Sequence, residues 1–138
     1  MSSFKYRVVC RKNPVNSDVK FFAEHVEQEQ VSEDEMIEQI EQKTTVSRAD
    51  IRAVLSALQV EIKYNLVNGR KVKLNDIGCF RTTLHSTGTV TEEDFTAGNI
   101  NHTRVVFTPN PILRKAVLPG AKGVSFSLVK DAAAASQQ

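Results

Sequence analysis

The sequence predicts an α+β fold: a helical pair and a β-sheet with a long hairpin arm, preceded by an extra N-terminal β-hairpin. Three observations carry this. Residues 4–11 (FKYRVVCR) alternate apolar with mostly basic side chains, the period of a half-buried strand. Ser32 and Ser47 each stand three positions before an acid, Glu35 and Asp50, where apolar residues begin to recur at helical spacing. Residues 79–108 hold two strand-like runs around a stretch rich in Gly, Thr and acids, the order of a hairpin with a long loop.

In the first strand, Phe4, Tyr6, Val8 and Cys10 fall on one side, and Lys5, Arg7 and Arg11 on the other. Residues 13–18 are dense in turn formers, so 19–26 (VKFFAEHV) reads as the returning strand, with a short helix over 21–29 as the alternative. Ser32-Glu33-Asp34-Glu35 opens a helix reaching about Lys43, with Met36, Ile37 and Ile40 as its buried stripe. Ser47 opens a longer helix with two stripes. One is Ile51, Leu55, Leu58, Ile62 and Leu66; the other is Ala57, Val60, Tyr64 and Val67. One short preceding helix cannot cover so wide an arc, so a second chain is expected to. Asn68-Gly69 stops this helix.

A short strand over 70–74, a turn at 75–78 and a strand from Cys79 to His85, with Phe80 buried, come next. Residues 86–100 read as an exposed loop, and Asn101 to Thr108 as the returning strand. Pro109-Asn110-Pro111 introduces a helix over about 112–118. Val124, Phe126 and Leu128 alternate in a last strand that could pair with the N-terminal hairpin; residues 131–138 (DAAAASQQ) have nothing to bury and are expected to fray.

Composition excludes several functions. Hydrophobic content of 41% and charged content of 25% are ordinary for a globular protein. No apolar run approaches the ~18 residues of a membrane helix, and the first residues lack a signal-peptide core, so a cytoplasmic setting is expected. Both cysteines, Cys10 and Cys79, are expected to be buried thiols. His25, His85 and His102 show no metal spacing with them, and Glu92-Glu93-Asp94 lacks the calcium-loop order. With no phosphate loop and no visible nucleophile–base pair, neither a cofactor, a small-molecule substrate nor an enzymatic reaction is expected.

Net charge is only +2, but it is polarised. Residues 24–41 carry eight acids and no Lys or Arg, residues 43–81 carry eight bases against three acids, and residues 102–130 carry five bases and no acid.

Several motifs resemble the bacterial HU and integration host factor family. Residues 31–78 align with it without a gap. Ser47-Arg48-Ala49-Asp50 resembles its Ser-Lys-Lys-Asp, and Asn68-Gly69-Arg70-Lys71-Val72-Lys73-Leu74 its Asn-Gly-Asp-Lys-Val-Gln-Leu. Ile77-Gly78-Cys79-Phe80 is similar to Phe-Gly-Asn-Phe. Phe107-Thr108-Pro109 and Leu113-Arg114-Lys115-Ala116-Val117 are similar to Phe-Lys-Pro and Leu-Lys-Asp-Ala-Val. The resemblance covers residues 31–118; the flanking 1–30 and 119–138 read as a β extension, and as a last strand with a tail. The whole chain looks most like HU-related proteins with an N-terminal extension.

The resemblance implies an intertwined homodimer whose arms hold DNA at its backbone and minor groove, without sequence preference. The DNA-binding residues it and the charge placement suggest are Arg70, Lys71, Lys73, Arg81, His85, Arg104, Arg114 and Lys115. Lys5, Arg7 and Arg11 would widen this surface if the extension packs beside the sheet. The sequence departs from the family at the arm tip. The Arg-Asn-Pro-x-Thr-Gly motif is replaced by Thr89 to Asn99, with three acids and no proline, and Thr83, His85, Glu33, Thr108 and Pro111 stand where the family has bases. Two functions follow as expectations: a histone-like architectural DNA-binding protein of the nucleoid, or an HU-fold module for protein association that does not bind DNA.

Overall fold

The structure, a computed structural model, describes residues 3–130; the fraying expected of 131–138 lies outside the described residues. The elements are β1 (Phe4–Lys12), β2 (Val19–His25), α1 (Glu33–Lys43), α2 (Arg48–Val67), β3 (Val72–Leu74), β4 (Gly78–Ser86), β5 (Ile100–Pro109), α3 (Pro111–Ala116) and β6 (Phe126–Leu128), with a short 3₁₀ turn at Ala97–Asn99 before β5. They divide into two compact units. One joins the residues up to Val31 with those from Lys115 onward; the other is Ser32–Arg114.

The first unit holds a sheet in the order β2-β1-β6. The turn formers at 13–18 close the β1–β2 hairpin: Asn13 N–H donates to Asp18 O at 2.8 Å, and Ser17 takes the left-handed φ of 62°. Tyr6 then faces His25, and Lys12 faces Val19. β6 lies parallel to β1, Phe4 opposite Phe126, so the last strand pairs with the N-terminal hairpin, and β2 is a strand rather than the alternative helix. Register puts Phe4, Tyr6, Val8, Cys10, Phe21, Ala23, Phe126 and Leu128 on one face. That face is apolar but open: Phe21 is 70% exposed. Cys10 is exposed and Cys79 only half-buried, so the expectation of two buried thiols fails. Strand alternation tells which side chains share a face, not whether another layer covers it.

In the second unit, α1 and α2 begin where their serines predict. The Ser32 hydroxyl accepts from Glu35 N–H at 3.2 Å, and that of Ser47 from Asp50 N–H at 3.3 Å. The core between the helices is narrow. Ile37 is 0% exposed and Ile51 is buried, but Met36 is 49% exposed and Ile40 is also exposed, so the predicted three-residue stripe contributes one fully buried side chain. Salt bridges Arg52–Asp34 (2.6 Å) and Arg48–Glu41 (2.8 Å) tie the helices at their surface. The hydrogen bond and charge of Glu41, with the charge of Glu38, raise the Arg48 pKa above its ordinary value.

β3, β4 and β5 form an antiparallel sheet in that order. The Phe80 and Phe107 rings meet 5.0 Å apart on one face of it. On that side an open apolar hollow of about 510 Å³ is lined by Leu55, Leu58, Ile62 and Leu66 of α2 with Phe80 and Val105. Phe80 is therefore half-buried, not buried. Around α2 from this lining the second stripe is uncovered: Tyr64 is 63% and Val67 79% exposed. No described helix is long and apolar enough to cross a membrane.

Candidate nucleic-acid interface

The β4–β5 ribbon is the longest paired element among the described residues, ten residues on its longer strand. At ~3.3 Å per residue it spans roughly 30 Å. Its register runs from Gly78 opposite Pro109 to His85 opposite His102. Because side chains alternate across a strand, Cys79, Arg81, Thr83 and His85 share a face with Thr108, Val106, Arg104 and His102. Lys73, opposite Cys79 on β3, joins that same face. The apolar residues Phe80, Val105 and Phe107 occupy the other. The three strands contain no Asp or Glu. The result is a basic face backed by an apolar one.

Four of the predicted site residues are thus brought together: Lys73, Arg81, His85 and Arg104, all exposed. Arg70 and Lys71 lie just before β3, also exposed. Their place is set by the end of α2, where Gly69 takes φ 75°. Gly69 N–H donates to Leu66 O at 3.0 Å and Arg70 N–H to Asn65 O at 2.9 Å, the paired bonds of a Schellman cap. Arg114 and Lys115 are consecutive exposed residues of α3, and the division between the two units falls between them.

Lys5, Arg7 and Arg11 do share a face of β1, as alternation predicts, but that strand lies in the other unit. Arg7 is held by Glu24 at 2.5 Å, and the Arg11 guanidinium sits 5.5 Å from the centre of the Phe22 ring. Part of that basic row is therefore neutralised within its own sheet.

Sequence reasoning passed over His102, Asn101 and Thr83 as contributors to one cluster. The register slips between His85 and Ser86, so that Ser86 faces Ile100 and Asn101 is the extra residue of a bulge. The loop sets this slip: Thr87 N–H donates to Asn99 O at 2.9 Å, and Asn99 Oδ1 accepts from Thr96 N–H at 2.9 Å. Counting back from Val106 in steps of two would have put Arg104 and His102 on one face. Nothing in the sequence shows which residue of β4 they meet. Among the described residues no group of three or more His, Cys, Asp and Glu is placed to hold a metal ion.

A family model described as an HU domain fused to wHTH, Ig, or glycine-rich motif matches residues 1–120 of the 138. Among solved structures, the chain is similar to a putative bacterial DNA binding protein from Bacteroides vulgatus ATCC 8482, at 15% identity and a TM-score of 0.63. The match covers 94% of this chain and 49% of that one, so the chain spans about half the length of that protein. At this identity the likeness is one of fold. No curated protein matches the chain. The family match takes in both β1 and β2, while β6 lies beyond it. Matched over all but its last residues, the chain belongs to the HU-HIG family of HU-related proteins.

Proposed function

We propose that the chain is a non-enzymatic, histone-like DNA-binding protein that acts as a homodimer in the cytoplasmic nucleoid. Residues 31–118 would carry dimerisation and DNA contact, and residues 1–30 and 119–138 an accessory sheet. The observation that carries this reading is the acid-free face of β3, β4 and β5, where Lys73, Arg81 and Arg104 are gathered with two histidines. Such a face suits phosphates, which are alike at every base pair, so the binding is insensitive to sequence and steeply sensitive to salt. The Bacteroides vulgatus neighbour's own description as a DNA binding protein agrees with it.

The strands of the ribbon rather than its tip make the contact in this reading. Glu92, Glu93 and Asp94 in the connecting loop repel a phosphate backbone, and no proline stands there as a wedge. Backbone and minor-groove contact with weak kinking follows. The partner protomer would cover both open apolar sides of α2: the hollow lined by Leu58, Ile62, Phe80 and Val105, and the exposed stripe of Val60, Tyr64 and Val67.

Fluorescence anisotropy on linear and nicked duplexes at low and high salt tests the reading. Binding should weaken on the order of a hundredfold or more between 50 and 200 mM salt if several phosphates are neutralised. The double substitution Arg81→Glu, Arg104→Glu should abolish it. Unchanged duplex affinity in that variant would show that the ribbon face is not the interface. The second reading, protein association without DNA, is favoured by one observation: the open apolar face of the β2-β1-β6 sheet. Absence of duplex binding even at low salt would select it.

A further inference from the structure

The far end of the ribbon holds a cluster whose chemistry goes beyond a row of fixed charges. His85 stands directly opposite His102, and Thr83 opposite Arg104, one row nearer the sheet. These four, with Leu84 and the bulge residue Asn101, line an open hollow of about 580 Å³. His85 Nδ1 lies 2.9 Å from Asn101 Oδ1. Arg104 Nε–H donates to His102 Nε2 at 3.0 Å.

In that bond His102 Nε2 accepts, which needs the free lone pair of an imidazole that carries its ring proton on Nδ1. Protonating Nε2 turns the acceptor into a donor and sets an imidazolium against a guanidinium. Both cations then point N–H groups into the same space. An anion there accepts from both and removes the repulsion. The fixed charges on this face are Lys73, Arg81 and Arg104, all positive. The acids nearest in the chain are Glu92, Glu93 and Asp94 of the loop, and among the described residues neither histidine is in a salt bridge.

We infer that this end of the ribbon is an anion site that takes one phosphodiester group of nucleic acid together with a proton. The inference rests on the DNA-binding reading above and adds a proton linkage to it. Proton and phosphate bind cooperatively here, and by reciprocity each raises the affinity for the other. Imidazole changes charge between about pH 5 and 8, so the linkage acts in that window. The sign is fixed: binding is tightest at the acid side and is lost as pH rises, because the bound state holds the extra proton.

Two measurements on the full chain separate this site from general DNA binding. In the first, duplex affinity is measured from pH 5.5 to 8 at constant ionic strength. Wild type should bind several-fold tighter at pH 6 than at pH 8. The variant His102→Gln should lose most of the rise between pH 8 and pH 6. In the second, the ring signals of His85 and His102 are titrated by NMR with and without sulfate, an anion whose own charge is constant over this range. Sulfate should move the His102 midpoint upward. Duplex binding with no pH dependence, or one unchanged in His102→Gln, would overturn the linkage while leaving the DNA reading intact. If no duplex binds at any pH, the DNA reading fails. A sulfate-shifted midpoint would then exclude nucleic acid as the occupant, and an unmoved one would exclude the anion site itself.

Discussion

Gly78 sits where β4 leaves the turn after β3, and little else fits there. A Cβ on it would meet two atoms of the Phe107 ring at 2.8 and 2.9 Å and collide with the carbonyl oxygen of Thr108, at a φ of 153°. Gly78→Ala should therefore destabilise the Ser32–Arg114 unit by ~2 kcal/mol or more, read from the urea midpoint. Gly69, by contrast, has nothing within 4 Å of its would-be Cβ, so its substitution costs only the left-handed backbone, ~1 kcal/mol. Ser32→Ala and Ser47→Ala should each cost about 1 kcal/mol in thermal unfolding, because each hydroxyl accepts one otherwise orphaned amide. The caps were legible because they are local: Ser and the amide that it accepts are three residues apart. The contact of Gly78 with Phe107 was not, because it joins residues nearly thirty apart through a register the sequence leaves open. The same limit hid the His85–His102 pair, which depends on a one-residue bulge.

Among the elements, all six strands and three helices lie close to where periodicity and turn chemistry put them. The depth of their packing was less legible. Apolar residues at helical spacing mark a face, but Met36 and Ile40 are exposed because nothing in the described chain lies over that part of α1. The two sheets also make separable local stabilities. Phe126 stacks near Phe4, ring centres 5.8 Å apart, and Val129 N–H donates to Tyr6 O at 2.9 Å. Phe126→Ser should speed hydrogen exchange at the Val129 and Phe4 amides while leaving those of β4 and β5 unchanged; equal acceleration in both sheets would show that the units unfold together. Across β1 and β2, Arg7 and Glu24 are each about two-fifths exposed. Glu24→Gln should accordingly cost less than ~1 kcal/mol, and less again in high salt.

At the scale of the whole molecule, only Ile37 and Ile51 form a buried apolar core among the described residues. Two small isoleucines are too little to hold a chain of this length by burial alone, which argues that the second stripe of α2 is completed by another copy. Light scattering should return twice the 15.4 kDa chain mass at micromolar concentration. Val60→Glu, at an already exposed position of that stripe, should give a folded chain of half that size; a dimer unchanged by it would move the interface elsewhere. In the sequence, the width of the apolar arc alone points to the proposed partner. The sequence also suggested that the last strand pairs with the N-terminal hairpin, as the β1–β6 ladder does.

That joining has a kinetic side. Ser3 and Ser127, 124 positions apart, meet hydroxyl to hydroxyl at 2.8 Å. A ribosome making ~5–20 residues per second leaves the β1–β2 hairpin, complete at His25, waiting roughly 5–20 s for its third strand. Two strands alone are marginal in water, and in that interval β1 presents an unpaired edge. The Ser32–Arg114 segment is translated in full before β6 exists and can fold in the meantime. The hairpin, made before the Ser32–Arg114 segment, is thus finished after it, and a nascent chain stalled before Phe126 would carry a completed β4–β5 ribbon and an adhesive, unfinished sheet.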